Sequence, residues 1–198
     1  MVDDNNVGGQ LADQAVGFLE LKGAAHGMVA LDAVCKAAPV DVLEAQVVCP
    51  GKFTILFTGL LASVTTAHGA AVARVGPGLY DSCVIGRIHP ALARGLSGIF
   101  PGLDARKTST EAKEETLGVL ETLSMASGIE AADVALKAGS VKLRELRLGY
   151  ALGGRSYMVI SGEIGSVGAA LDAATKLVTE LGLLGSHCLI PRPKAQIM

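Results

Sequence analysis

The 198-residue chain contains no tryptophan, and aromatic residues make up 4% of it. Charged residues make up 18%, against roughly 25% in an average soluble domain. The 17 basic and 19 acidic residues give a net charge of -2, so we expect no binding to nucleic acid or to an anionic membrane. Half of the residues are hydrophobic. We therefore expect subunit contacts to cover the surplus apolar surface.

Long apolar segments and targeting signals are also missing. The most apolar stretch, 53–67, is interrupted by threonines and is shorter than the roughly 18 residues of a membrane span. Residues 1–14 lack a basic region followed by an apolar one, and this pattern predicts a flexible polar tail instead of a secretory signal. The four cysteines have no CxxC spacing. We expect reduced thiols or ligands in a cytosolic protein.

The chain does contain an internal repeat. Residues 16–46 align with residues 117–147 at a constant offset of 101, and 11 of the 31 positions are identical. Beyond this segment the offset becomes 103, as in the match of Gly59 with Gly162. The second copy therefore has two extra residues near 150–153. The repeat predicts two diverged copies of one domain, at 15–97 and 116–198, joined by a Gly/Pro-containing and charged linker at 98–115.

Each copy predicts the element order βαββαβ. The first copy is predicted to have strands at 15–22, 42–48, 53–58 and 82–88 and helices at 26–38 and 60–75. The second is predicted to have strands at 116–123, 143–149, 156–161 and 186–190 and helices at 127–139 and 163–181. Ser127 and Glu130 have capping-box spacing for the first helix of the second copy. The order indicates an α+β, ferredoxin-like fold, with helices on one face of an antiparallel sheet.

Motifs in both copies resemble a known family. Each copy opens with G-x-L-E, its first helix carries D-x-x-x-K, and the chain closes with Ile190-Pro191-Arg192-Pro193. These features resemble the bacterial microcompartment shell domain, and two tandem, unpermuted copies resemble its trimer-forming class. The resemblance covers about residues 15–93 and 116–197. It implies a pseudo-hexagonal homotrimer with a central pore, packed edge to edge with other shell proteins in a microcompartment shell in the cytoplasm.

A shorter motif resembles one group within this class. The segment Cys49-Pro50-Gly51-Lys52-Phe53, followed later by Ile88-His89-Pro90, is similar to the tandem shell protein of propanediol-utilisation microcompartments that holds an iron–sulfur cluster at its pore. The resemblance implies that Cys49 is a ligand. Three copies around one axis would supply three thiolates to a [4Fe–4S] cluster, with a non-protein ligand on the fourth iron. Transfer of electrons or intact clusters across the shell would follow, with an encapsulated redox enzyme as a candidate partner.

The expected pore loop leaves alternatives open. It comprises Cys49, Pro50, Gly51 and Lys52, with Gly153 and Gly154 from the second copy. A Pro-Gly turn after Cys49 favours an outward-facing thiol. That thiol could equally line a cluster-free metabolite pore, or bind zinc or another soft metal. Lys52 either offsets the negative charge of a thiolate-ligated cluster or is a solvated loop lysine.

The remaining cysteines and charged residues suggest packing and assembly. Cys35, Cys83 and Cys188 are predicted to pack in the core. The resemblance implies that Lys36 and Lys137, at equivalent helix positions, donate to backbone carbonyls of a neighbouring tile. It also implies that Arg192, framed by two prolines, inserts into that tile, and that His89 takes a similar place in the first copy. The alternative for these residues is an ordinary surface charge, which contributes little.

No acid–base or nucleophile constellation is present, so the chain is not predicted to be an enzyme. Glu20 and Glu121 recur at one strand position, which favours a structural role shared by both copies over catalysis. A rival from another class is a soluble trimeric regulator or ligand-binding protein on the same duplicated fold. Such a protein would remain a discrete trimer.

Overall fold

The computed structural model describes residues 14–99, 116–149 and 152–194. The chain divides into two compact units. The first contains the first repeat up to Pro90 together with the loop Gly149–Gly154. The second contains the chain from Ala91 to Leu148 and from Arg155 onward. The predicted tail up to residue 13 and most of the predicted linker lie outside the described residues.

The first repeat forms a four-stranded antiparallel sheet with the strand order β2-β3-β1-β4. Its elements are β1 (Ala15–Leu21), α1 (Ala24–Ala37), β2 (Asp41–Val48), β3 (Lys52–Gly59), α2 (Leu61–Val75), a 3-10 turn (Gly76–Gly78) and β4 (Leu79–Ile85). This order and topology confirm the predicted ferredoxin-like arrangement.

The second repeat has the same architecture, with the strand order β6-β7-β5-β8. Its elements are β5 (Thr116–Thr122), α4 (Met125–Ala138), β6 (Lys142–Leu148), β7 (Ser156–Gly162), α5 (Ile164–Glu180) and β8 (Leu184–Ile190). Between the two repeats lies α3 (Pro90–Ile99). The register shifts also recur: between Val42 and Glu44 in the first copy, and between Leu143 and Glu145 in the second. Shared irregularities at the same offset confirm the duplication.

Helix and sheet approach each other closely at a repeated glycine. Alternate residues of β3, including Phe53, are buried in a core cluster together with α1 and α2. A Cβ atom at Gly27 on α1 would overlap the Phe53 ring, and one at the equivalent Gly128 would overlap Ser156 Oγ. The sequence match of Gly27 with Gly128 therefore has a packing cause: only glycine allows the helix this near the sheet.

Three predicted details were wrong. No element was predicted at α3, although Leu92 and Leu96 share one helical face and are fully buried. The cap of α4 is Ser124, whose Oγ accepts from the Ser127 amide at 3.1 Å, so this helix begins earlier than the Ser127 capping box implied. β4 lies at Leu79–Ile85, three residues before its predicted position. No helix in the described ranges is long and apolar enough to cross a membrane.

Candidate functional site

The candidate site is the tight turn between β2 and β3. The Gly51 amide donates to the Val48 carbonyl at 3.0 Å and closes the turn, and Gly51 has a positive φ of 83°. A positive φ is a backbone conformation that glycine adopts without steric cost. The Cys49–Pro50 peptide is cis, and Cys49 is an exposed free thiol. The predicted outward position of this sulfur is therefore confirmed for the single chain.

Lys52 is the first residue of β3 and is buried, with 8% of its surface exposed. Its Nζ lies 2.5 Å from Oε1 of Glu20, which is fully buried in β1, and donates to the Gly154 carbonyl at 3.2 Å. The same ammonium lies 3.3 Å from the centroid of the Tyr80 ring. The alternative that Lys52 is a solvated loop lysine is therefore wrong. The buried Glu20 carboxylate pairs with the Lys52 ammonium, and an effect of Lys52 on the charge of a cluster at the turn stays a prediction.

The two glutamates predicted to share one role do not share it. Glu20 forms the buried ion pair with Lys52, whereas Glu121 is exposed and accepts a hydrogen bond from Ser186 Oγ at 3.0 Å. The position equivalent to Lys52 holds Arg155, which is exposed. The first copy alone therefore has a buried charged pair beside the cysteine turn, and sequence reasoning missed it.

The loop Gly149–Gly154 of the second repeat packs with the first compact unit. Gly154 is buried with a φ of 76°, and a Cβ atom there would lie 3.0 Å from Pro50 Cδ and 2.9 Å from Lys52 Nζ. Gly153 is exposed and has open space around it. The structure therefore brings Gly154 to the cysteine turn, and the absence of a side chain permits that approach. Residues 150 and 151 lie outside the described ranges.

A single chain supplies few metal ligands at this turn. Among the described residues, no group of three or more His, Cys, Asp or Glu side chains could hold a metal ion. The Cys49 thiol is exposed and suits soft metals and iron–sulfur clusters, so the donor type fits. The number of donors does not fit within the described part of one chain. A cluster at Cys49 therefore requires thiolates from several copies of the chain.

The other cysteines follow the predictions only in part. Cys83 in β4 is 4% exposed, as predicted for a core residue. Cys35 in α1 and Cys188 in β8 are exposed, so their predicted core positions are wrong for the single chain. Helical periodicity placed Cys35 in a helix correctly but did not determine which face of that helix is covered.

The two repeated lysines make the same intrahelical ion pair. Lys36 Nζ lies 2.7 Å from Asp32, and Lys137 Nζ lies 2.5 Å from Asp133. Both pairs have i,i+4 spacing, the separation at which helical side chains meet. The Lys36 side chain is 74% exposed and that of Lys137 is 45% exposed. The D-x-x-x-K motif is therefore a local structural feature that leaves both ammonium groups at the surface.

Arg192 follows β8 and is exposed between Pro191 and Pro193, with a φ of 49° that is unusual for a non-glycine residue. It lines an open cavity of about 460 Å³. The other residues lining this cavity are Thr116, Gly162, Glu163, Ile164 and Pro191. His89, the candidate equivalent in the first copy, directly precedes α3 and is half-buried. Arg192 is thus exposed in an irregular backbone segment directly after β8.

Three comparisons with known proteins bear on this architecture. The BMC domain family model matches residues 15–88 and 116–193. The bacterial microcompartment shell protein PduT of Citrobacter freundii is 36% identical over 180 residues, which cover 91% of this chain and 93% of that protein. The crystal structure of a microcompartments protein from Desulfitobacterium hafniense DCB is 35% identical, with a TM-score of 0.76, and the match covers 94% of this chain and 98% of the other.

A more distant structure agrees in fold alone. The fused permuted hexameric shell protein MSM0275 of the RMM microcompartment is 23% identical, with a TM-score of 0.60, and the match covers 90% of this chain and 91% of that one. The first two matches span nearly the whole of both proteins, so they compare complete tandem arrangements instead of one isolated domain.

Proposed function

The chain belongs to the BMC domain family of bacterial microcompartment shell proteins, and we propose that three copies form one shell tile with a [4Fe–4S] cluster at its pore. A structural role in the shell, without enzymatic activity, follows from the family. Shell proteins of this family assemble with other shell proteins. The proposal adds the trimer, the cluster and the residue that holds it.

The tandem arrangement supports the trimer. Two domains of equal topology in each chain give six equivalent units when three chains close around an axis. The chain is 50% hydrophobic and 18% charged, and large apolar residues such as Leu60, Leu61 and Ile164 are exposed on the single chain. Burial between copies would remove that surface from water.

The exposed Cys49 thiol at the tip of a tight turn is the observation that carries the cluster proposal. Three such thiolates bind three irons of a [4Fe–4S] cube and leave one iron for water or another small ligand. A cluster bound there supplies one-electron redox chemistry or serves as cargo. Within the chain, Gly51 gives the turn its shape, and the Glu20–Lys52 ion pair supports the strand that follows it.

Metal analysis of protein purified without oxygen tests the cluster. We expect about four irons and four sulfides per three chains, and an electron paramagnetic resonance signal after reduction. Cys49→Ser should lose iron, sulfide and signal, whereas Cys35→Ser should retain them. Iron that survives Cys49→Ser, or zinc without sulfide in the native protein, would contradict the proposal. A colourless trimer without metal would favour the cluster-free metabolite pore.

Assembly into sheets tests the tile edge separately. Lys36 and Arg192 are exposed at two places on the chain, and we propose that both contact neighbouring tiles. Electron microscopy should reveal sheets or tubes of the native protein, and Lys36→Ala and Arg192→Ala should abolish them without changing the subunit number. A native protein that stays a discrete trimer under all conditions would instead support the soluble binding or regulatory protein.

A further inference from the structure

The turn that carries Cys49 has little support of its own. The Gly51 amide closes it by donating to the Val48 carbonyl at 3.0 Å. Cys49, Pro50 and Gly51 are exposed, and a Cβ atom at Gly51 would meet no atom of the described chain within 4 Å beyond its neighbours in sequence. A segment with few packed neighbours opens locally at low cost in free energy. A metal ligand needs a fixed position, so the support must come from outside the turn.

Two backbone segments lie against this turn. One is the end of the loop Gly149–Gly154, because a Cβ atom at Gly154 would lie 3.0 Å from Pro50 Cδ. The other is the start of α1, because a Cβ atom at Gly23 would lie 3.8 Å from the Gly51 carbonyl oxygen. The loop and the turn belong to the same compact unit. The contact at Pro50 leaves no room for a side chain, so the loop is closely packed against the turn.

The Lys52 ammonium attaches this loop to the sheet. It donates to the Gly154 carbonyl at 3.2 Å, lies 2.5 Å from Glu20 Oε1 and lies 3.3 Å from the centroid of the Tyr80 ring. Glu20 is fully buried in β1, an inner strand of the sheet. A buried ammonium cannot leave a buried carboxylate without a large cost, since the carboxylate would lose its partner. The Gly154 carbonyl is therefore bound at a fixed point beside the turn.

The second repeat does not reproduce this attachment in the described part of the chain. Arg155, at the position equivalent to Lys52, is exposed, and Glu121, at the position equivalent to Glu20, accepts from Ser186 Oγ. The second copy also has its two extra residues near 150–153, in the loop that reaches Lys52. The attachment therefore occurs in the repeat whose turn has the cysteine.

From these contacts we infer that Lys52 is a positioning residue for Cys49. Its ammonium fastens the loop Gly149–Gly154 against the cysteine turn, and the loop holds the turn in one conformation. Lys52 acts through the loop instead of binding iron itself. The consequence for metal retention rests on the proposed function, whereas the fastening needs no metal. Removal of a group that orients a metal ligand typically lowers metal affinity about 10–100-fold.

Two variants release the loop by different routes. Gly154→Ala places a methyl group against Pro50 and Lys52 and retains both charges of the ion pair. The double variant Glu20→Met/Lys52→Met removes the ammonium without changing the net charge. Because it leaves no buried charge, it should retain most of the native Tm. A residue that served stability alone would be replaced successfully in the double variant, whereas a positioning residue would not.

Each variant has a matched control. Gly182 has a φ of 71°, close to the 76° of Gly154, but a Cβ atom there has open space. Gly182→Ala therefore has the same unfavourable backbone conformation without the contact. Arg155→Met removes the exposed charge at the position equivalent to Lys52.

Amide hydrogen exchange of the metal-free full-length protein tests the fastening, with mass spectrometry of peptides that cover the turn. We expect the Gly51 amide to exchange at least about tenfold faster in both variants than in the native protein, and at the native rate in both controls. Native rates in both variants would overturn the inference, and so would an effect in one variant alone, which would reflect strain or lost charge. If Gly154→Ala fails to fold, the double variant decides.

Iron release separates this inference from the proposed function. Protein prepared without oxygen is mixed with an iron chelator, and both variants should lose iron about tenfold faster than the native protein. Their electron paramagnetic resonance signal should also change in shape, because the turn no longer has one conformation. A native protein without iron would refute the proposed cluster, while hydrogen exchange would still decide the fastening. A native cluster that both variants retain equally well would refute the positioning role and leave the cluster standing.

Discussion

Replacement of Lys52 by methionine tests the buried ion pair beside the cysteine turn. The Lys52 and Glu20 side chains are 10% and 0% exposed, and their charged atoms lie 2.5 Å apart. Removal of the ammonium leaves a buried carboxylate without its partner, which costs about 3–5 kcal/mol. The variant also loses the hydrogen bond to the Gly154 carbonyl and the contact with the Tyr80 ring. For a chain of this length the loss corresponds to a Tm about 6–20 °C lower.

Thermal unfolding followed by circular dichroism measures this loss, at one protein concentration because subunit association raises the apparent Tm. Arg155→Met is the matched control, since Arg155 holds the equivalent position in the second copy and is exposed. We expect it to change stability by no more than about 0.5 kcal/mol. The double variant Glu20→Met/Lys52→Met should recover most of the loss, because an apolar pair of similar size leaves no buried charge. Equal Tm values for Lys52→Met and Arg155→Met would refute the reasoning.

Two further predictions concern the helices. Burial lowers the pKa of His68 on α2, and its Nε2 is buried without a hydrogen-bond partner in the described part of the chain. The unfolded state then binds more protons, so stability should fall as the pH drops below the ordinary histidine pKa of 6.5. His68→Leu, which places the residue of the equivalent Leu171 there, should flatten the dependence of Tm on pH; an unchanged slope would contradict this. Gly27→Ala should destabilise the protein by roughly 1–3 kcal/mol because its Cβ would overlap Phe53, whereas Gly69→Ala, in open space on α2, should stabilise it by roughly 0.5–1 kcal/mol in urea unfolding. Equal effects of the two substitutions would contradict the packing argument.

The position of Cys49 was predictable because its cause is local. A cysteine followed by Pro50 and Gly51 between two β-rich runs indicates a tight turn, and a turn keeps a short side chain outside the core. The burial of Lys52 was not predictable in this way. Its partners Glu20 and Gly154 lie 32 and 102 residues away in the sequence. The sole signal was the presence of a glutamate in β1 of both copies, and that signal wrongly suggested one shared role.

The properties of Lys36, Lys137 and Arg192, the residues expected to contact a neighbouring tile, were predictable only in part. The D-x-x-x-K spacing predicts an intrahelical pair, and the structure has that pair in both copies. Whether Lys36 or Arg192 contacts a neighbouring tile stays a prediction, because it depends on the arrangement of many copies.

The sequence by itself determined the duplication, the order of strands and helices in each copy, and the family. These properties depend on local periodicity and on residues matched at a constant offset. Tertiary structure alone decided that Lys52 pairs with Glu20 and that equivalent faces of the two repeats differ in burial. Cys35 and Leu136 occupy equivalent positions in equivalent helices, yet one is open and the other is covered. The periodicity of a helix specifies that one face is apolar; what covers that face depends on packing between segments distant in the chain.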